Sequence, residues 1–213
     1  MSQTPDQSAP STTVADNWNQ RFSHEKFVFG EQPNAWLRAQ AHHWHPGHRV
    51  LCVADGEGRN SVWLAQQGLR VDAFDISRVG VAKARRLAER CGVQVDYQVA
   101  DCDAVAWPQN VYDGVAAIFV QFADPAMRAR LFDRMIACLA PGGVLVLQGY
   151  TPQQLVYGTG GPSLVENLYT EAMLRQAFGA MELAVLSDYE AELDEGLGHR
   201  GRSALIGLVA RKR

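Results

Sequence analysis

A glycine-rich turn, followed at a fixed distance by an acidic residue, is the chemically most informative feature of the chain. The tract RVLCVADGEGRN spans residues 49–60, and VDAFD follows at 71–75. Asp75 lies 19 residues after Gly56, close to the roughly 20 expected for an acid that binds ribose hydroxyls. Glycines let the backbone approach a ligand, and a helix N-terminus offers unpaired N–H groups. The tract predicts a nucleoside-binding βαβ unit with Gly56, Gly58 and Asp75 at the ligand; a turn without a ligand is the alternative.

Gly56 carries a specific geometric expectation. A glycine that passes against a ligand has either a positive φ or no room for a β-carbon.

The series Gly56-x-Gly58-x-x-Ser61 nearly completes a dinucleotide fingerprint, so a nicotinamide-dependent oxidoreductase is an alternative. The motif starts some 50 residues into a chain of 213, which is too short for a typical two-part dehydrogenase.

A second acid follows the third predicted strand. Asp101 would lie beside the ligand crevice, where it could accept a hydrogen bond from an adenine amino group. The backbone of Cys102 could meet the adenine ring nitrogen. The alternative is that Asp101 caps a helix or a turn.

Two further polar clusters need interpretation. The tract HHWHPGH at 42–48 has none of the usual zinc spacings, and we predict no metal site there. The tract YEAELDEGLGHRGRSA at 189–204 reads either as a solvated hairpin turn or as a tip that folds over the pocket. In the second interpretation His199, with Arg200 or Arg202, faces an anionic or acidic acceptor.

The apolar pattern alternates between strands and helices after residue 49. Apolar runs such as VLCVA and GVAAIFV are typical of strands covered by helices on both faces. Residues 1–15 are polar and are expected to be disordered, and an aromatic-rich helical lid is expected over 16–45 in one domain spanning 16–213. The predicted strands are 49–54, 70–75, 94–99, 112–120, 143–150, 182–190 and 203–211, and the predicted helices are 58–67, 78–91 (capped by Ser77), 125–139 and 169–178.

Composition excludes several classes of function. A net charge of −3 gives no reason to expect nucleic acid or an anionic membrane as a partner. No apolar stretch approaches the roughly 18 residues of a membrane span, and the N-terminus shows no signal-peptide pattern. The four cysteines form no C-x-x-C pair and are expected to be reduced thiols in the cytoplasm. The expected assembly is a monomer or a homodimer.

These motifs together resemble the class I S-adenosylmethionine-dependent methyltransferases, and most closely the small bacterial tellurite-resistance and thiopurine-type branch. The glycine loop and the P-G-G are shared by the whole superfamily, whereas the E-G-R-N, the T-G-G-P and the late D-E-G-x-x-H-x-G are more specific. The matching elements are Trp18…Arg21-Phe22, Phe29-Gly30…Pro33-Asn34, Glu57-Gly58-Arg59-Asn60, Asp75-Ile76-Ser77 with Val79-Gly80, Pro141-Gly142-Gly143, Thr159-Gly160-Gly161-Pro162, and Leu193-Asp194-Glu195-Gly196 with His199 and Gly201.

The resemblance implies an α/β, doubly wound, Rossmann-like sheet of seven strands in the order 3-2-1-4-5-7-6, with strand 7 antiparallel. It implies S-adenosylmethionine as the cofactor. The hairpin tract supplies His199, Arg200 and Arg202 as the candidate catalytic residues at the acceptor. The chain departs from the family where Cys52 and Ala54 replace the usual strand acid and glycine. The implied cofactor-binding residues are Phe29, Gly30, Ala54, Asp55, Gly56, Gly58, Asp75, Ile76, Asp101, Cys102 and Gln121, of which Gln121 stands where many relatives carry His or Asn.

Methyl transfer from a sulfonium needs alignment and desolvation more than acid–base chemistry. A thiolate or a reduced chalcogen needs no strong base, whereas an oxygen or nitrogen nucleophile could use His199. The sequence therefore predicts a methyltransferase acting on a small molecule, possibly a thiol or a chalcogen oxyanion. A cofactor-binding protein without turnover, perhaps regulatory, is the alternative that the Cys52 and Ala54 departures suggest.

Overall fold

A seven-stranded sheet forms the centre of the molecule in the computed structural model, which describes residues 13–213. The strand order is β3-β2-β1-β4-β5-β7-β6. β7 runs antiparallel to both of its neighbours, and the other pairs are parallel. The predicted fold class and strand order are confirmed. The strands are β1 Arg49–Val53, β2 Arg70–Asp75, β3 Asp96–Val99, β4 Tyr112–Ile118, β5 Leu139–Tyr150, β6 Glu182–Glu195 and β7 His199–Arg211.

Side-chain caps fix where several helices begin. Ser77 Oγ accepts a hydrogen bond from the Gly80 N–H at 3.0 Å, which confirms the predicted N-cap. Asp124 caps the helix that starts at Pro125 by accepting from Met127 N–H at 2.8 Å. The helices are α1 Val14–Arg21, α2 Ala35–Gln40, α3 Arg59–Gln66, α4 Arg78–Arg90, α5 Pro125–Cys138, α6 Gln154–Tyr157 and α7 Glu171–Phe178.

The core lies on both faces of the sheet, as the continuous apolar strands predict. One cluster packs α5 and α7 against one face, and another packs α3 and α4 against the other. Successive residues of β5, such as Leu145 and Val146, are fully buried on opposite faces. The parallel strands β1, β2, β3 and β4 therefore end at one edge, which forms the crevice of an open α/β sheet.

The final hairpin differs from its prediction. Residues 190–202 were expected to form a long turn, but the β6–β7 ladder continues to the pair Glu195 and His199. Only residues 196–198 form the turn, so the segment is a hydrogen-bonded two-stranded ribbon rather than a long loop. The tract Pro141–Gly143 lies inside β5, where the register with β4 shifts.

The N-terminal boundary also shifts. Thr13 caps α1 through a reciprocal pair of hydrogen bonds with Asp16, so residues 14 and 15 are helical rather than part of a disordered tail. The remainder of that expectation, residues 1–12, lies outside the described residues. Over residues 13–213, no helix combines the length and the apolar character needed to cross a membrane.

Candidate functional site

The glycine loop follows β1 and has an unusual backbone. Ala54, Gly56 and Gly58 all have positive φ, at +49°, +62° and +90°. Gly56 therefore has the conformation that the sequence predicts. Ala54 is a non-glycine residue in this region, which costs on the order of 1–3 kcal/mol and is most often found at functional sites. Phe119, just after β4, has a φ of +57° at the same edge of the sheet.

Asp75 ties the loop to the start of α4. Its Oδ2 accepts a hydrogen bond from Gly56 N–H at 2.9 Å, and its Oδ1 accepts one from Ser77 N–H at 2.8 Å. Burial raises the pKa of Asp75 to about 6, against the opposing effect of those two N–H donors. A carboxylate has about four lone-pair positions, so each oxygen of Asp75 retains one that these two bonds do not use.

Asp55 faces the first turn of α3. Its carboxylate accepts from Ser61 N–H at 3.3 Å and from the Ser61 hydroxyl, which lies 2.7 Å from the Tyr97 hydroxyl. Burial raises the pKa of Asp55 to about 7. Cys52 is packed in the core cluster of α3 and α4. Asp55 thus braces the loop through Ser61, although the usual strand acid is absent.

The adenine-side candidates lie at the end of β3. Asp101 is half-buried and its Oδ1 accepts from Asp103 N–H at 2.7 Å, so it does form the turn that was the alternative interpretation. Cys102 is buried, and its carbonyl oxygen accepts from Trp107 Nε1 at 2.9 Å. The Asp101 turn leaves Oδ2 without a partner among the described residues, so the turn and an adenine contact are compatible.

Gln121 is fully engaged within the protein. Its Oε1 accepts from Tyr150 N–H at 2.6 Å, while its Nε2 donates to the carbonyl oxygens of Tyr150 at 2.9 Å and Asn167 at 3.0 Å. These bonds join the end of β4 to the end of β5. Both Nε2 hydrogens are therefore used within the protein, and Oε1 keeps one of its two lone-pair positions.

His199 lies in an aromatic box at the other side of the crevice. Its ring centroid is 4.2 Å from that of Phe119, 4.6 Å from Phe29 and 5.7 Å from Tyr150. Its Nδ1 is buried without a hydrogen-bond partner among residues 13–213. Burial lowers the pKa of His199 despite the neighbouring Glu195, so the imidazole is neutral near pH 7 and can accept a proton.

A buried ion pair supports this box. Arg59 Nη2 lies 2.8 Å from Glu195 Oε2, whose distance to His199 Nδ1 is 3.8 Å. Burial acts to raise the pKa of Glu195, but His199 and Arg59 outweigh it and the pKa falls to about 2. Glu195 also accepts from Asn34 Nδ2 at 3.0 Å and from Ala35 N–H at 3.2 Å.

The structure does not bring Arg200 and Arg202 to His199. Alternate residues of a strand point to opposite faces, and both arginines are exposed while His199 is buried. Arg202 Nη2 pairs with Glu190 Oε2 at 2.6 Å, and Arg200 approaches Asp194 at 3.9 Å. Only His199 of the predicted catalytic set faces the crevice.

The E-G-R-N tract binds the N-terminal segment. The sequence predicts this segment as a lid but does not predict which residues hold it. Glu57 Oε2 accepts from Val28 N–H at 2.7 Å, Arg59 Nη1 donates to the Phe29 carbonyl at 3.1 Å, and Asn60 Oδ1 accepts from Asn34 N–H at 2.9 Å. All three side chains are buried, and buried polar groups require hydrogen-bond partners, but this burial cannot be read from the sequence.

Lys83 completes this attachment from α4. It forms a buried ion pair with Glu57 and donates to the carbonyl oxygens of His24 at 2.8 Å and Lys26 at 3.0 Å. The lid segment, residues 22–30, is therefore held at both the glycine loop and α4.

Glycines let the lid segment approach closely. A β-carbon at Gly56 would lie 3.2 Å from the Phe22 ring, and one at Gly196 would lie 2.4 Å from Gly30 N. At Gly198 it would lie 2.3 Å from the Phe29 ring. The hairpin glycines thus serve close packing rather than hinge motion. Phe29 and Gly30 belong to the lid segment. Ile76 is half-buried and follows Asp75 in the chain.

No group of three or more His, Cys, Asp or Glu side chains suited to a metal ion occurs within residues 13–213. The histidines of 42–48 contact one another in pairs, with ring centroids 4.2 Å apart for His42 and His43 and 5.3 Å apart for His45 and His48.

Comparison with known proteins agrees with this geometry. Residues 50–143 match a methyltransferase domain family. The chain is 30% identical over 128 residues to a demethylmenaquinone methyltransferase of Thermus thermophilus, covering 59% of this chain and 56% of the relative. The chain thus spans about half the length of that protein.

Solved structures show the same fold. TehB from Haemophilus influenzae superimposes with a TM-score of 0.69 at 18% identity, covering 93% of this chain and 67% of TehB. A magnesium protoporphyrin IX methyltransferase from Synechocystis with bound S-adenosylhomocysteine gives a TM-score of 0.62 at 21% identity. The match covers 84% of this chain and 79% of that protein. S-adenosylmethionine is the cofactor of this fold family, as the sequence predicts. Residues 50–143 thus form a methyltransferase domain within a sheet that has the fold of class I S-adenosylmethionine-dependent methyltransferases.

Proposed function

We propose that the protein transfers a methyl group from S-adenosylmethionine to a small-molecule acceptor. The observation that carries this proposal is the position of His199: a buried, neutral imidazole with an unpartnered Nδ1 at the same sheet edge as Asp75 and the glycine loop. Such a perturbed group in a crevice is a candidate for proton transfer.

The residues of the crevice fit the cofactor. Asp75 would accept hydrogen bonds from the ribose diol, and the loop from Ala54 to Gly58 would lie against the ligand with its N–H groups. Asp101 and the Cys102 backbone would meet the adenine. When bound, the cofactor supplies a methyl group on a positively charged sulfur.

The protein's own contribution is alignment, exclusion of water and proton removal. The Phe22 ring packs at Gly56 and the Phe29 ring at His199, while Phe119 and Tyr150 also contact His199. An acceptor hydroxyl or thiol in this box would give its proton to the neutral imidazole of His199. Arg59 and Glu195 fix the hairpin that carries His199 and largely neutralise each other.

The acceptor class follows from the same box. Aromatic walls favour a small acceptor with an apolar or soft reacting atom, such as a thiol or a reduced chalcogen. The Thermus relative is named for demethylmenaquinone, so a hydroxylated aromatic ring belongs to the same test panel.

A two-stage experiment tests the proposal. Calorimetry with S-adenosylhomocysteine and with NAD comes first, and only the former is expected to bind. Turnover is then measured as S-adenosylhomocysteine release with thiols, selenite, tellurite and phenols. Binding without turnover on any acceptor would indicate a non-catalytic cofactor-binding protein, and no binding at all would refute the proposal.

A further inference from the structure

Arg21 is a cation beside the crevice that lacks a counter-ion. Two other cations flank this region, and both are paired: Arg59 with Glu195 and Lys83 with Glu57. Arg21, the last residue of α1, forms no ion pair and no side-chain hydrogen bond with any residue of the described part of the chain. An unpaired guanidinium has five N–H donors available to a ligand.

Aromatic contacts hold the Arg21 side chain in place. Its Cζ lies 5.1 Å from the Phe29 ring centroid and 5.2 Å from that of Trp18. These distances are within the range of cation–π attraction. The same Phe29 ring packs on His199, so the guanidinium is held one ring away from the proposed proton acceptor.

The electrostatics of the crevice agree with this position. Burial lowers the pKa of Arg21, and the nearby Tyr150 opposes that shift. The charge of Arg21 is also felt at His199, whose pKa it helps to lower after burial and Arg59. Arg21 is nonetheless exposed, so an anion can reach its guanidinium from solvent and would offset its partial desolvation.

We infer that Arg21 is a carboxylate-binding residue of the crevice, with its guanidinium set over Phe29 to receive a carboxylate in a bidentate pair. This inference rests on the proposed function. A planar guanidinium matches the two oxygens of a carboxylate. The carboxylate can belong to the amino-acid tail of the cofactor or to an acidic acceptor, and the experiment separates the two sources.

The test compares ligands that differ by a carboxylate. Calorimetry measures S-adenosylhomocysteine, which has one, and 5′-methylthioadenosine, which has none, on wild type, Arg21→Met and Arg21→Lys. Thiosalicylate and thiophenol form a second such pair and are titrated into protein saturated with S-adenosylhomocysteine. Arg38→Met, an exposed arginine of α2, is the matched control, and the melting temperature of each variant shows that it is folded.

If the cofactor supplies the carboxylate, Arg21→Met weakens S-adenosylhomocysteine at least about tenfold and leaves 5′-methylthioadenosine unchanged. If the acceptor supplies it, only thiosalicylate is weakened. The affinity of Arg21→Lys should lie between those of wild type and Arg21→Met, since lysine keeps the charge but lacks the planar guanidinium that forms a bidentate pair. The inference is overturned if wild type and Arg21→Met have equal affinities for all four probes. Failure of both thiols to bind either protein counts as equal affinity for those two probes. If wild type binds neither nucleoside, the proposed function fails and this inference fails with it.

Discussion

The two sides of the crevice are built in different ways. The glycine-loop side consists of backbone in left-handed conformations and one carboxylate, and its contacts join residues 2 and 19 positions apart in sequence. The His199 side consists of aromatic rings and an ion pair between Arg59 and Glu195, supported by a bond from Asn34 that spans 161 positions. In the proposed function the first side binds the cofactor, whereas the second side is assembled from residues far apart in the sequence.

The buried ion pair is the most sensitive point of the second side. Arg59→Met removes one partner and leaves Glu195 as an uncompensated buried charge, which costs about 3–5 kcal/mol. Denaturant unfolding should show this loss of stability. Arg200→Met, in the exposed contact with Asp194, is the control and should leave the midpoint unchanged. A small effect of Arg59→Met would mean that the hairpin does not depend on this pair.

The two sides should separate kinetically at His199. His199→Ala should lower turnover by about 100-fold, the lower end of the effect of a general base, while the dissociation constant of S-adenosylhomocysteine stays unchanged. Steady-state kinetics and calorimetry on one preparation measure both quantities. Arg202→Ala removes an outward-facing side chain and should retain wild-type turnover. Full activity of His199→Ala would remove the imidazole from the mechanism.

A weaker effect, spread over several pH units, is expected from Asp55 on the glycine-loop side. Its pKa of about 7 lies above its ordinary value of 3.8, so the folded state binds more protons between these values and stability falls as the pH rises from about 4 to about 7. Asp75 contributes in the same direction, and Arg59 opposes. Asp55→Asn should therefore reduce this slope in chemical denaturation.

The control for this pH dependence is Asp194→Asn, an exposed change outside the loop, which should leave the slope as in wild type. A slope that Asp55→Asn does not alter would show that Asp55 is ionised in the folded protein at acidic pH.

The sequence predicts the fold and the glycine-loop side well because both depend on local pattern. Apolar runs, glycines and the spacing to Asp75 are readable over short stretches. The partners of Glu57, Arg59 and Asn60 are not, since those side chains meet residues 26 to 30 positions away. The sequence predicts a turn over this hairpin because a glycine-rich polar tract is typical of turns, whereas Gly196 and Gly198 permit close packing against the lid segment.

In the proposed function, the glycine loop and Asp75 hold the nucleoside part of S-adenosylmethionine. The most direct measurement is calorimetric titration of S-adenosylhomocysteine into wild type and Asp75→Ala, with circular dichroism to confirm that the variant is folded. We expect at least about tenfold weaker binding to Asp75→Ala, because charge-assisted hydrogen bonds to the ribose diol contribute about 1.5–3 kcal/mol each. An unchanged dissociation constant in a folded Asp75→Ala protein would contradict it.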